Sequence, residues 1–177
     1  MSPLSPDIVL SLLSEFTRTR KNPLQVLLVG GLALHFYGMP DRATMDVDAE
    51  VKTGIEDLFH FLKSRHVPAD LSENFSGWSV IAMPPGYRER SLTVLQKNLL
   101  EIKVLSPADF IIAKLRRFSE IDIQDALFVA KKYKISPEAV HQTADSAIQH
   151  SVKDTALFLF KKNVGQFLKI MSKSEGL

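Results

Sequence analysis

Two carboxylates two residues apart, Asp46 and Asp48, follow a pair of glycines, Gly30 and Gly31, at a distance of about fifteen positions. Alternate residues of a strand share a face, so both acids would project together. Neighbouring carboxylates repel, and a site that keeps both ionised usually holds a cation between them. A hard divalent ion such as Mg2+ prefers oxygen donors and commonly takes only one or two carboxylates, leaving room for triphosphate oxygens. Glycines ahead of a helix, lacking Cβ, let a phosphate approach the backbone N–H groups at the helix N-terminus. Each piece alone has an ordinary alternative. Asp-x-Asp is common on the solvated face of a strand, and Gly-Gly before a helix is commonly a tight turn. The ordered combination is what points to phosphate and metal.

The elements that must position these residues can be read around them. Residues 24–29, Leu-Gln-Val-Leu-Leu-Val, are short, branched and bounded by Pro23 and Gly30, which predicts a buried strand. A short helix is expected over 32–37, ending at Gly38. Residues 46–51 alternate polar and apolar and predict a half-buried strand. Ser5-Pro6-Asp7 opens an amphipathic helix that runs to Lys21, with Ile8, Leu12, Leu13 and Phe16 on one face. Residues 53–63 carry Ile55, Leu58, Phe59 and Leu62 at helical spacing. In the middle, 78–82 reads as a strand, Pro84-Pro85-Gly86 as a turn and 98–105 as a further strand. Ser106-Pro107-Ala108-Asp109 opens a helix with an acidic residue three positions on. The remainder reads as helical, near 107–118, 120–133, 137–149 and 152–172. The expected organisation is therefore an αβ core over 1–105 and a helical part over 106–177, packed as one unit.

Composition bounds the alternatives. The chain has 177 residues, 45% hydrophobic, with 22 Lys and Arg against 20 Asp and Glu, a net charge of +2. A disordered chain would be poorer in apolar residues and more one-sided in charge. A binder working by bulk positive charge is excluded as well. Cysteine is absent, so no disulfide, thiolate nucleophile or zinc knuckle is available. With no basic-then-apolar leader and no bilayer-length apolar run, the expected setting is cytoplasmic, with no membrane partner. The balance is uneven along the chain. Residues 41–57 hold six acids and two bases, whereas 110–177 hold eleven bases and seven acids.

The ordered set Gly30-Gly31, short helix, Asp46-x-Asp48 on the next strand resembles the nucleotidyltransferase superfamily, of DNA polymerase β-like fold. Arg42-x-Thr44-x-Asp46-x-Asp48 narrows this to a likeness with the AbiEii-type bacterial branch, which includes toxins of toxin–antitoxin pairs. It is also similar to a set of bacterial nucleotidyltransferase-like proteins whose later elements match Leu105-Ser106-Pro107-Ala108-Asp109, Lys114, and Asp122 with Asp125. The phrase Pro84-Pro85-Gly86-Tyr87-Arg88-Glu89-Arg90 recurs among the same relatives. The likeness spans roughly 24–135. It implies an α/β (α+β) minimal mixed sheet flanked by helices, with a C-terminal helical bundle. It implies that Gly30, Gly31, Arg42, Thr44 and Lys114 serve the nucleotide, that Asp46 and Asp48 hold Mg2+, and that Asp122 or Asp125 completes the site. The implied activity is transfer of a nucleotidyl group from a nucleoside triphosphate (NTP) to an RNA or protein acceptor. The alternative is a catalytically degenerate module that binds a nucleotide or another protein.

Active members of that superfamily often carry a third carboxylate on a later central strand. Here the candidate is Glu101, which reads equally as a solvated residue on an edge strand. Arg88 and Arg90 could reach a phosphate or form a structural salt bridge, and Arg116 and Arg117 could grip nucleic acid or be solvated. The five histidines show no metal-binding spacing, and His35 reads as packed or capping. Leu157, Phe158, Phe160, Val164, Phe167, Leu168 and Ile170 form an apolar stripe. Its uses are core packing or, through 152–172, a cognate antitoxin or homodimer.

Overall fold

The branched residues after Pro23 form strand β1 (Leu24–Leu28), buried on nearly every position. Four more strands join it in a single mixed sheet: β2 (Val47–Val51), β3 (Ala69–Ser72), β4 (Leu92–Lys97) and β5 (Leu100–Val104). The order is β3-β2-β1-β5-β4, with β1–β5 and β2–β3 parallel and β1–β2 and β4–β5 antiparallel. These coordinates are a computed structural model describing residues 4–39 and 42–174. Met1, Ser2 and Pro3 of the N-terminal stretch, and Asp41 of the acidic segment, lie outside the described residues.

Register divides the sheet into two unlike faces. Val26 pairs with Val51, Leu28 with Ala49, and both with Ile102 and Val104 of β5. That face is wholly apolar and almost fully buried. With Val9, Leu13 and Phe16 of α1 (Pro6–Arg20) and Leu58 and Leu62 of α3 (Ile55–Ser64), it forms the core of the first unit. The two helices meet through Phe16 and Phe61, whose rings are 5.3 Å apart. The other face carries the polar side chains: Asp48 and Glu50 from β2, Gln25 from β1, and Glu101 and Lys103 from β5. Between β1 and β2 lies the short helix α2 (Ala33–Phe36).

The chain separates into two compact units: everything up to Phe75 together with Ser91–Val104, and Ser76–Arg90 together with the chain from Leu105 onward. The second unit is helical. It comprises α4 (Pro107–Leu115), α5 (Glu120–Lys132), α6 (Pro137–Gln149) and α7 (Thr155–Ser174). Serines at the N-caps start three of them: the hydroxyls of Ser106, Ser119 and Ser136 accept from the N–H groups of Asp109, Asp122 and Ala139. Among the described residues no helix is long and apolar enough to cross a membrane.

Several expectations need correction. Residues 78–82 are not a strand. A 3-10 turn spans Phe75–Trp78, and the N–H groups of Ile81, Ala82 and Met83 are taken by the hydroxyls of Ser79, Ser151 and Ser76. With three successive donors satisfied by serines, no ladder partner is required. β3 and β4 were not expected as strands; both are edge strands, and their positions are mostly half-buried or exposed. β5 begins at Leu100 because Asn98, in the left-handed conformation (φ 52°), turns the chain. β5 is a central strand, so the edge-strand reading of Glu101 is set aside. The α7 stripe divides: Phe160, Val164 and Phe167 are buried, Leu157, Leu168 and Ile170 are half-buried, and Phe158 stands exposed.

Candidate active site

The glycine pair sits where β1 ends, and what fills the space beside it is a carboxylate. A Cβ added to Gly30 would lie 1.9 Å from Asp48 Oδ2 and 2.5 Å from Asp48 Cβ. Added to Gly31, it would lie 3.0 Å from Thr44 Oγ1 and 3.1 Å from Thr44 Cβ. The motif's two halves therefore touch directly: each glycine makes room for one residue of the Thr44-x-x-x-Asp48 stretch. The backbone fastens the same junction, since Val29 N–H donates to Asp48 O at 3.0 Å and Leu4 N–H to Thr44 O at 2.8 Å.

Asp46 lies just ahead of β2, half-buried, with the hydroxyl of buried Thr44 donating to its backbone oxygen at 3.3 Å and reaching Oδ1 at 3.4 Å. Arg42 turns its guanidinium onto the carbonyl of Ala43. Two acidic neighbours escaped sequence reasoning. Glu50, two residues beyond Asp48 on the same face, is buried and accepts the N–H of Phe75 at 2.8 Å. Its signal was present, because Asp46-x-Asp48-x-Glu50 continues the alternation. Asp70 is the register partner of Asp48 on β3 and is exposed. Nothing flagged it, because Ala-Asp-Leu-Ser carries no strand pattern.

Glu101 shares the polar face but not the locality. It is registered with Gln25, at the beginning of β1, whereas Asp48 lies beyond the end of that strand. Four residues of strand separate the two rows, about 13 Å at ~3.3 Å per residue. Its carboxylate accepts from Gln25 and from Thr93 Oγ1 at 3.0 Å and lies 3.6 Å from Lys103 Nζ. The Gln25 hydrogen bond, with those of Thr93 and Lys103, outweighs burial and holds its pKa below the usual range. On β5 the polar-face residue one row nearer Asp48 is Lys103, paired with Leu27. Among the described residues no three His, Asp or Glu side chains are grouped as a metal site.

The second unit brings Lys114, Asp122 and Asp125 together. Lys114, 3% exposed, places Nζ 2.8 Å from Asp125 Oδ2 and 3.3 Å from Asp122 Oδ1. Asp122 also completes the capping box of α5: Ser119 donates its backbone N–H and its hydroxyl to Oδ2, and Arg117 adds a bond at 2.8 Å. Burial would push this carboxyl up. The hydrogen bonds from Arg117 and Ser119, with the Lys114 and Arg117 charges, prevail and hold it at about 2. Arg90 is structural: it grips fully buried Asp109 at 2.8 and 3.0 Å while Ser106 Oγ donates to the same carboxylate. Arg88 lies over the Tyr87 ring, and Arg116 donates to the Ser76 carbonyl.

Phosphate could approach the Gly30-Gly31 turn beside an all-oxygen donor set, Asp46 and Asp48, which suits a hard cation. A family described as a nucleotidyltransferase of unknown function, DUF6036, matches residues 8–164. No curated protein and no solved structure matches the chain. The family match takes in the glycine turn, both aspartates and the Lys114–Asp122–Asp125 cluster, so the chain belongs to this nucleotidyltransferase family.

Proposed function

We propose that the protein transfers a nucleotidyl group from an NTP to a hydroxyl of an RNA or protein acceptor, with Mg2+ held by Asp46 and Asp48. The observation that carries this is the seating of Asp48 against Gly30. One contact fixes both the carboxylate and the turn whose N–H groups would meet the triphosphate. In the reaction the acceptor oxygen bonds to the α-phosphorus, the bond to the bridging oxygen breaks, and pyrophosphate leaves with its electron pair. The hydroxyl proton passes to solvent or to a carboxylate of the site. Bound Mg2+ would neutralise charge on the phosphate oxygens. Thr44 keeps the approach to β2 in place through Asp46, and Asp48 is oriented by the strand and by Gly30. Lys114, Asp122 and Asp125 tie α4 to α5 within the second unit through a buried cluster. A toxin of a toxin–antitoxin pair is one setting for such an activity.

A second reading, nucleotide binding without turnover, is favoured by Lys103, a cation standing on β5 where a third carboxylate would serve catalysis. One assay separates the two. Each α-labelled NTP is incubated with the protein, Mg2+ and total RNA or lysate, beside Asp48→Asn. Transfer should fall by more than the roughly 10–100-fold seen on losing an outer-shell partner of a metal. Binding without label transfer supports the second reading, and transfer undiminished in Asp48→Asn refutes the first.

A further inference from the structure

At the opposite end of β1 from the glycine turn, a cleft of about 550 Å3 opens between α1 and the β4–β5 turn. Arg18, Lys21 and Lys97 line it, with Ser11, Asn98 and Leu99 among the remaining residues. All lie in the first unit. Among the described residues none of the three cations has an ion-pair partner. The cleft's single acid, Glu15, is already paired with Arg65. Three positive charges thus line one cleft beside a single acid that is engaged elsewhere. The C-terminal half of α1 contributes about half a negative charge, which three cations exceed.

The shape selects the ligand. A polynucleotide is met by a stripe of cations along a face. Three cations around one cleft, within the ~300–1,000 Å3 range of small-ligand pockets, suit a compact polyanion. Ser11 and Asn98 add neutral polar groups, and Leu99, 39% exposed, adds an apolar flank. Leu24 N–H bonds to Leu99 O at 2.8 Å, so the cleft begins where β1 begins. Gly30 lies six residues further, about 20 Å away at ~3.3 Å per residue.

We propose that this cleft binds the oligophosphate group of a small ligand, either a nucleoside polyphosphate or free polyphosphate, separately from the glycine turn. The proposal does not rest on nucleotidyl transfer, and its test omits magnesium. Calorimetric titration of the full chain in EDTA with tripolyphosphate, ATP and a short single-stranded RNA distinguishes the sources. Saturable tripolyphosphate binding is expected, weakened roughly tenfold by Arg18→Gln and again by Lys97→Gln, and unchanged in Asp48→Asn. ATP binding more tightly than tripolyphosphate assigns the nucleoside source; equal affinity assigns the free anion. Both substitutions are at exposed positions, and unchanged melting temperatures verify that the variants fold. The proposal is overturned by any of three results. These are no saturable binding of either phosphate below about 1 mM, binding lost in Asp48→Asn but kept in Lys97→Gln, or RNA binding through these cations while tripolyphosphate does not bind.

Discussion

Gly30→Ala is the sharpest probe of the glycine–aspartate junction. Gly30 does not have a positive φ, so alanine is permitted by the backbone and would by itself stabilise by about 0.4–1 kcal/mol through the unfolded chain. The new Cβ, however, would stand 2.5 Å from Asp48 Cβ. Carbon contacts are comfortable at ~3.5–4.0 Å, so at least about 1 Å must be found. Turning the Asp48 side chain about χ1 moves its oxygens but not its Cβ, so β1 and β2 must separate. Overpacking of this kind costs about 1–3 kcal/mol, a fall in melting temperature of roughly 3–10 °C for a chain of this size. The cycle is completed with Asp48→Gly, which removes the three atoms nearest the new Cβ, and with Asp48→Ala, which leaves the Cβ. Gly30→Ala should be strongly destabilising in the native and Asp48→Ala backgrounds and nearly neutral beside Asp48→Gly. Equal cost in all three backgrounds, or no cost in the native one, would refute the steric argument.

Other consequences are more local. Asp122 stands at about 2 in the folded protein, below its ordinary 3.8, so it stabilises the fold at pH values above ~4. That contribution, about 2 kcal/mol, is lost as the pH falls through 2. The urea midpoint of the native protein should approach that of Asp122→Asn over this interval, and a gap independent of pH between 5 and 2 would contradict the cluster's assigned energetics. Gly165, inside α7, has nothing within 4 Å of an added Cβ. Gly165→Ala should therefore raise stability by about 1 kcal/mol, read by thermal melting, and a loss would show that this face of α7 is less open than described.

The sequence was most legible where local chemistry and burial agree. β1 and β2 announce themselves because their core-facing residues are branched or small and apolar, α4 and α6 because serine and proline mark their starts, and α5 because Ser119 and Asp122 form a capping box. The contact between Gly30 and Asp48 was legible as a motif, but its meaning was not. Glycine pairs are associated with phosphate approach, and only coordinates show that the aspartate itself occupies the missing Cβ. β3 and β4 were illegible for a different reason. An edge strand takes its structure from a neighbour's hydrogen bonds, which leaves its composition free. Conversely, Trp78-Ser-Val-Ile-Ala has strand composition yet forms no strand, because the hydroxyls of Ser79 and Ser151 meet the N–H groups of Ile81 and Ala82, and Ser76 meets that of Met83 just beyond. Side-chain bonds from a residue about seventy positions away cannot be read from local pattern. Glu101 was legible as a carboxylate but not as one held by Gln25, since parallel register is a tertiary property.

The strand order also bears on how the chain is made. β5 is the last strand to be synthesised, yet it stands between β1 and β4. Until Val104 has emerged, β1 has a bare edge of unpaired N–H and C=O groups, and β4 has no partner at all. Translation therefore yields β1, β2 and β3 first as a half-sheet whose β1 edge is open in addition to the edge at β3. A nascent chain stalled short of residue 104 carries that adhesive edge, and release a few residues later closes it from within.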